Sequence, residues 1–312
     1  MIDVAHKNIN KKPRILYFLL AGLILVLLIQ IGYIIAYDRT NVTTRVNITQ
    51  SLPIITSIII NQGAPINLSE GTVRLVECNV TIIDYNGLAD IDKVNATFHR
   101  DNVSPFGAQD NNTRYQNYSC EYNQTVNSYT FRYICAFNNV TYHAYNGSWN
   151  CSVQVNNTLN YPINGTNSSL IYPLFAMNVT DLIDYGNLSV FDTSNVQQVN
   201  VTNWGNQPIN LSVYGYGGTS NLTGQELSFI CPYGTNITIG NERWTPVGNV
   251  SWVTMVNLTS GPRTIGNVTI FKQQTDELSL NTTYWKLYVP PNPFGVCNGT
   301  VVYEAQLAGW SG

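Results

Sequence analysis

Residues 72–83 read TVRLVECNVTII, and the alternation of apolar with polar side chains is that of a half-buried β-strand, whose successive residues face opposite sides. Inside it, Asn79-Val80-Thr81 is also an N-glycosylation acceptor, Asn-x-Ser/Thr. In a strand the Asn and the Thr share the solvent face, and the valine between them enters the core. One tripeptide is thus both strand and acceptor.

Outward from this stretch the device repeats, as in Asn200-Val201-Thr202, Asn236-Ile237-Thr238 and Asn267-Val268-Thr269. Acceptors fall at Asn41, Asn47, Asn67, Asn79, Asn95, Asn102, Asn111, Asn117, Asn123, Asn139, Asn146, Asn150 and Asn156. Thirteen more follow at Asn164, Asn167, Asn178, Asn187, Asn200, Asn210, Asn221, Asn236, Asn249, Asn257, Asn267, Asn281 and Asn298. With about 40 Asn and about 16% Ser plus Thr, chance would produce roughly six of these 26. The excess is a property of the chain, and it argues for antiparallel sheets with one wet face.

Short alternating runs broken by Gly, Pro, Asn and Asp continue through Val94–His99, Arg114–Tyr122, Tyr129–Val140, Ser148–Val155, Gly186–Phe191 and Val196–Thr202. They resume at Pro208–Tyr216, Val250–Leu258, Val268–Lys272, Thr283–Val289 and Gly299–Ala305. Strands at this spacing predict an all-β chain of two tandem Ig-like antiparallel β-sandwiches. The boundaries expected are a first sandwich over 53–159, a linker over 160–176 carrying Pro162, Gly165 and Pro173, a second sandwich over 177–306 and a tail over 307–312.

Before the strands lies a different kind of segment. Residues 15–37, ILYFLLAGLILVLLIQIGYIIAY, hold no charge, and 23 residues in a helix cover about 35 Å, enough for a hydrocarbon core of about 30 Å. This predicts a transmembrane signal-anchor helix. A cleaved secretory signal with Ala36 at the cut is the alternative, against which the run is long and Ile34 is a poor −3 residue. Lys7, Lys11, Lys12 and Arg14 against Asp3 give residues 1–14 a charge of 4 − 1 = +3. The positive-inside rule makes them a cytoplasmic tail, with 38–52 a glycosylated stalk and the rest extracellular.

The whole chain of 312 residues is 44% hydrophobic and 11% charged, which excludes a disordered polymer. Its net charge of −3 leaves −3 − 3 = −6 beyond the tail, the wrong sign for a nucleic-acid partner. Six cysteines in an exported chain suggest disulfides. Cys231 must pair with Cys297 if each half is self-contained. The four earlier cysteines allow three connectivities, among which Cys78–Cys151 between sheets with Cys120–Cys135 across a local hairpin is preferred.

Asn146-Gly-Ser-Trp149-Asn-Cys151-Ser-Val resembles the strand carrying the second cysteine of immunoglobulin-type domains, with Trp149 where a tyrosine commonly stands. Pro53-Ile-Ile-Thr-Ser-Ile-Ile-Ile60, Ile66-Asn-Leu-Ser-Glu-Gly-Thr with Cys78, and Ile83-Asp-Tyr-Asn-Gly87 with Asp90-Ile-Asp92 resemble a domain of surface glycoproteins from small-genome archaea. Asp184-Tyr-Gly-Asn-Leu188, Val199-Asn-Val-Thr-Asn-Trp-Gly-Asn206 and Gly299-Thr-Val-Val-Tyr-Glu-Ala305 resemble a companion sandwich, whose ending is also similar to the last strand of secreted fibre subunits. These likenesses cover most of 53–306 and imply a surface role without naming an activity.

Chemistry-bearing patterns are sparse. His6, His99 and His143 stand without a nucleophile motif, phosphate loop or dinucleotide fingerprint, so no enzyme and no catalytic residue is expected. Asp84, Asn86, Asp90 and Asp92 could direct oxygens at a calcium ion, though their spacing fails the EF-hand pattern and an Asn-Gly turn joining two strands is the favoured explanation. Among the aromatics, Trp204 and Trp310 are the candidates for exposed sugar-stacking rings. The expected function is a membrane-anchored glycoprotein with a structural, adhesion or partner-binding role, contacting other surface proteins or glycans. The alternatives are a self-associating filament subunit that donates Ile54–Ile60 to a neighbour's sheet, and an extracellular carbohydrate- or ligand-binding module.

Overall fold

The computed structural model describes residues 12–35, 40–221 and 225–308, with side chains described for all of these except 12–13, 31–35 and 266–267. His6, Trp310 and the ends of both tails lie outside the described residues. The chain divides into two units, Met1–Thr49 and Gln50–Gly312.

In the first unit, α1 runs over Lys12–Ile35, slightly earlier than the apolar run of 15–37. The side chains described in it, those of 14–30, are all exposed. Among the described residues no helix is long and apolar enough to cross a membrane; the apolar run itself extends past them. Residues 40–49 carry no regular structure.

The second unit is built of strands. Its first half contains β1 (Ile54–Ile60), β2 (Val73–Ile83), β3 (Ile91–Arg100), β4 (Arg114–Asn117), β5 (Glu121–Asn127), β6 (Thr130–Thr141), β7 (Gly147–Asn157) and β8 (Pro162–Ile171). They form two four-stranded sheets, β1-β2-β6-β5 and β4-β3-β7-β8, with every neighbouring pair antiparallel. From β2, Val76, Cys78, Val80 and Ile82 point inward, and from β7 Trp149, Cys151, Val153 and Val155 do. Each such apolar side chain contributes about 1.5–3 kcal/mol when fully buried. The Trp149 ring lies 4.8 Å from Phe98 and its indole N–H donates to the Tyr145 carbonyl at 2.7 Å, so the one polar atom of the largest core residue is satisfied.

The second half contains β9 (Met177–Val179), β10 (Gln197–Asn203), β11 (Ile209–Gly217), β12 (Leu227–Phe229), β13 (Tyr233–Gly234), β14 (Ile237–Thr238), β15 (Glu242–Thr245), β16 (Val256–Asn257), β17 (Arg263–Ile270), β18 (Leu280–Leu287), β19 (Pro293–Phe294) and β20 (Gly299–Leu307). A five-stranded sheet, β16-β15-β18-β10-β9, and a three-stranded sheet, β17-β11-β20, enclose a separate core around Trp285. The Trp285 N–H donates to Thr283 Oγ1 and to the Tyr303 hydroxyl, each at 2.9 Å.

Several expectations need correction. The segment 160–176 is not a free linker, because β8 pairs along its length with β7. Its edge position leaves most of its side chains exposed, and on its core-facing side Asn167 and Ser169 are polar while Gly165 has no side chain, a Cβ there sitting 3.1 Å from Ile55. Composition and alternation are therefore both loop-like, and Pro162 opens the strand where a missing N–H matters least. Gly186–Phe191 is a turn, with left-handed backbone at Gly186 and Phe191. Arg114–Tyr122 breaks into β4 and the start of β5, since the chain changes sheets between them. Val250–Leu258 is a 3-10 turn, Trp252–Thr254, followed by β16.

The two halves meet in a polar seam. Lys272, just after β17, is buried and donates to the His143 carbonyl at 3.0 Å and to Asn112 Oδ1. Its ammonium stands 3.6 Å from the Tyr145 ring centroid, a cation–π contact. Tyr142 donates to Gln273 and Asn112 to the Gln274 carbonyl. On the connecting chain, the Asn206 carboxamide accepts from the Leu174 N–H at 2.7 Å and donates to the Tyr172 carbonyl at 3.1 Å. Buried charged and amide groups that are all partnered hold one orientation, since any displacement leaves one unsatisfied.

Candidate functional site

The strand alternation decides where each acceptor asparagine goes. Every acceptor whose side chain is described is half-buried or exposed, and none is in the interior; that of Asn267 lies outside the described side chains. Many of the middle residues go the other way, with Leu68, Val80, Ala96, Val140, Val201, Leu211, Ile237, Leu258 and Val268 buried, whereas Val42, Ile48 and Tyr118 are exposed. The buried asparagines are Asn112, Asn157, Asn203 and Asn206, and none heads an acceptor triplet. Asn112 and Asn157 are instead the middle residues of Asn111-Asn112-Thr113 and Asn156-Asn157-Thr158.

Hydrogen bonds sort the acceptors further. Asn200 and Asn210 accept through Oδ1 from Thr282 at 2.8 Å and Thr269 at 2.7 Å on the neighbouring strands. Their nitrogens, which a sugar would take, carry no partner among the described residues. Asn117 and Asn167 are bound differently. Asn117 Nδ2 donates to the Ala136 carbonyl at 2.9 Å while its Oδ1 accepts from the Ser119 N–H. Asn167 Nδ2 donates to the Ile58 carbonyl at 2.6 Å while its Oδ1 accepts from the Ser168 N–H.

Three disulfides pair all six cysteines: Cys78–Cys151, Cys120–Cys135 and Cys231–Cys297. Cys78 and Cys135 lie directly opposite on β2 and β6, yet each bonds elsewhere. Cys78 spans the two sheets and Cys135 reaches the residue before β5.

A concavity of about 580 Å³ lies on the outer face of the β4-β3-β7-β8 sheet. Strand register lays two polar rows across its floor. Asn95, Gln154 and Asn164 are cross-strand partners, and so are Gln116, Thr97, Ser152 and Thr166. Phe106 and Tyr118 stand at its walls, exposed by 76% and 67%. No charged side chain lines it. The loop bearing Phe106 is pinned by Arg114, which donates to the Ser104 and Ala108 carbonyls at 3.0 and 2.7 Å, and by Gln116, which donates to the Gly107 carbonyl.

Other candidates are dispersed or differently employed. Asp84 and Asp90 are buried, whereas Asn86 and Asp92 are exposed. Asp84 Oδ1 accepts from the Asn86 N–H at 2.8 Å, closing the turn, and the Asn86 oxygen accepts from Ser51. Burial and the nearby Asp90 charge raise the Asp84 carboxyl above its ordinary range. Among the described residues no three aspartate, glutamate, histidine or cysteine side chains are grouped so as to hold a metal. Trp204 is not an open platform: it is half-buried, with its ring on the backbone of Gly71. His99 and His143 are interior, the former bonding Ser152 Oγ at 2.9 Å through Nε2. Lys272 and burial together push His143 down to about 4, burial being the larger cause.

Sequence reading passed over Glu242. It is buried in β15, accepts from the Tyr185 hydroxyl at 2.7 Å, and is pushed up to about 7 by burial. It lines a hollow of about 260 Å³ with Tyr185 and Tyr303. A lone glutamate between polar neighbours in sequence carries no sign of this. Phe106 and Gln154 escaped notice because only the register of three strands and a loop brings them together.

No family model matches this chain, and no curated protein matches it. Solved structures resemble it only distantly. One is the CsuC–CsuE chaperone–tip adhesion subunit pre-assembly complex of the archaic Csu pili of Acinetobacter baumannii, 9% identical, with 78% of this chain and 97% of that chain covered at a TM-score of 0.36. Another is a chaperone–tip adhesin complex of CFA/I fimbriae, 10% identical, with 78% of each chain covered at a TM-score of 0.30. By its own packed antiparallel sheets and three disulfides the chain is a disulfide-bonded, predominantly β protein of sandwich type.

Proposed function

We propose that this chain is a membrane-anchored, N-glycosylated surface protein of two immunoglobulin-like sandwiches, with a structural, adhesion or partner-binding role in a cell envelope and no catalytic one. The observation that carries the reading is the sorting of asparagines: acceptor asparagines lie off the interior and buried asparagines are not acceptors. Three disulfides with no free cysteine among the described residues favour an oxidising compartment. The uncharged run of 15–37 supplies the anchor, and the side chains of 14–30 stand exposed around α1. The resemblance of the first sandwich to small-genome archaeal surface proteins fits this placement. A hydrated sugar coat on outward faces would also discourage edge-to-edge sheet pairing.

Filament assembly by donation of Ile54–Ile60 competes poorly, because β1 already pairs with β2 and buries Ile58 and Ile60 in its own core. The test is glycopeptide mass spectrometry on protein from its native membrane, with protease accessibility in sealed cells. Sugar on a majority of the acceptors and an accessible second unit are expected. Bare asparagines throughout, or a second unit protected with free thiols, would refute the reading.

A further inference from the structure

We propose that the first sugars of an N-linked glycan on Asn95 occupy the cleft on the outer β4-β3-β7-β8 face. The inference rests on the reading of the acceptors as glycosylated and adds where one glycan sits. Asn95 belongs to β3, an interior strand of that sheet, so its side chain rises from the cleft floor and not from its rim. It makes no hydrogen bond among the described residues, and neither does Thr97 of the same acceptor triplet. A sugar on Asn95 Nδ2 therefore starts within the cleft.

The lining suits that occupant. Amide and hydroxyl groups on the two rows can donate to and accept from sugar hydroxyls, Phe106 and Tyr118 offer ring faces to the apolar side of a pyranose, and the absence of charge selects a neutral ligand. The volume of about 580 Å³ is within the ordinary range of small-ligand sites. Because the Phe106 loop is pinned by Arg114 and Gln116, little ordering opposes binding. Covalent attachment also gives this sugar an effective concentration that a free glycan does not reach. In the modification itself, Asn95 Nδ2 gives up one proton and displaces a polyisoprenyl phosphate from the anomeric carbon of a lipid-linked sugar donor, a transfer made by a separate enzyme.

The experiment is hydroxyl-radical footprinting of the full-length glycoprotein from its native membrane, with glycopeptide mass spectrometry, on wild type, Asn95→Gln, Asn164→Gln and Thr97→Ala. Thr97→Ala abolishes the acceptor while keeping Asn95, and serves if Asn95→Gln does not fold. Oxidation of Phe106 and Tyr118 is expected to be several-fold lower in wild type and Asn164→Gln than in Asn95→Gln or Thr97→Ala. An occupied Asn95 with equal oxidation in all four proteins overturns the seating alone. A bare Asn95 in wild type overturns the glycosylation on which it rests. Protection that persists in Asn95→Gln and Thr97→Ala, or is lost only in Asn164→Gln, assigns the cleft to another sugar and also overturns the proposal.

Discussion

The ring of Trp204 lies so close over the backbone of Gly71 that a Cβ there would sit 2.7 Å from Trp204 Cε3, and Gly71 itself has a φ of +62°. This contact joins the two sandwiches where the sequence offers only two ordinary turns. Gly71→Ala is expected to destabilise the second unit by about 1–3 kcal/mol, from displacement of the ring together with left-handed strain. Gly186→Ala has a similar φ, +71°, but open space around it and should cost about 1 kcal/mol, the strain alone. Thermal melts of both variants measure the difference, and equal losses would show that the Trp204 contact contributes nothing.

Glu242 gives the second sandwich a pH signature. Its carboxyl rises from 4.5 to about 7 in the folded state because burial disfavours the charge. The folded state thus holds the proton more tightly than the unfolded one. That contribution is complete below pH 4.5 and is lost as pH climbs through 7, for a total on the order of 3 kcal/mol. Glu242→Gln, which keeps an acceptor for Tyr185, should be more stable than wild type at pH 8 and nearly equal to it at pH 4.5. Urea melts at the two values check this.

The seam should respond in the opposite sense. His143 falls from 6.5 to about 4, so the unfolded chain takes up a proton that the folded chain refuses. Stability present above pH 6.5 is lost as pH falls toward 4, by up to about 3 kcal/mol. His143→Gln is expected to flatten this acid limb. Measuring it in a Glu242→Gln background removes the opposing term, and an unchanged acid limb would refute the assignment.

Occupancy of the acceptors should not be uniform. Asn117 and Asn167 commit both ends of their carboxamides to backbone groups, so a sugar on either nitrogen would crowd a strand. Site-resolved mass spectrometry should find these two largely bare and Asn200 and Asn210 occupied. The reverse order would separate occupancy from folded-state hydrogen bonding.

Much of the sheet structure was legible because alternation is a local property: in β2 and β7 the inward residues are those the period of two selects. The asparagine sorting followed from the same rule. Strand β8 was not legible, since an edge position removes the apolar signal and Gly165 must stay small beneath Ile55. The preferred cysteine pairing in the first half is the one observed, Cys78–Cys151 between sheets and Cys120–Cys135 at the β5-β6 hairpin, although Cys78 and Cys135 are cross-strand neighbours. The cleft, the seam and the burial of Trp204 depend on which distant strands adjoin, for which residue spacing holds no signal.

The Cys78–Cys151 bridge closes a loop of 73 residues, and the exposed Phe106 segment falls inside it. A protease that cut there would leave both fragments covalently joined through the sulfur bridge. A nick at that exposed turn would thus break the backbone of the first sandwich without parting its two pieces.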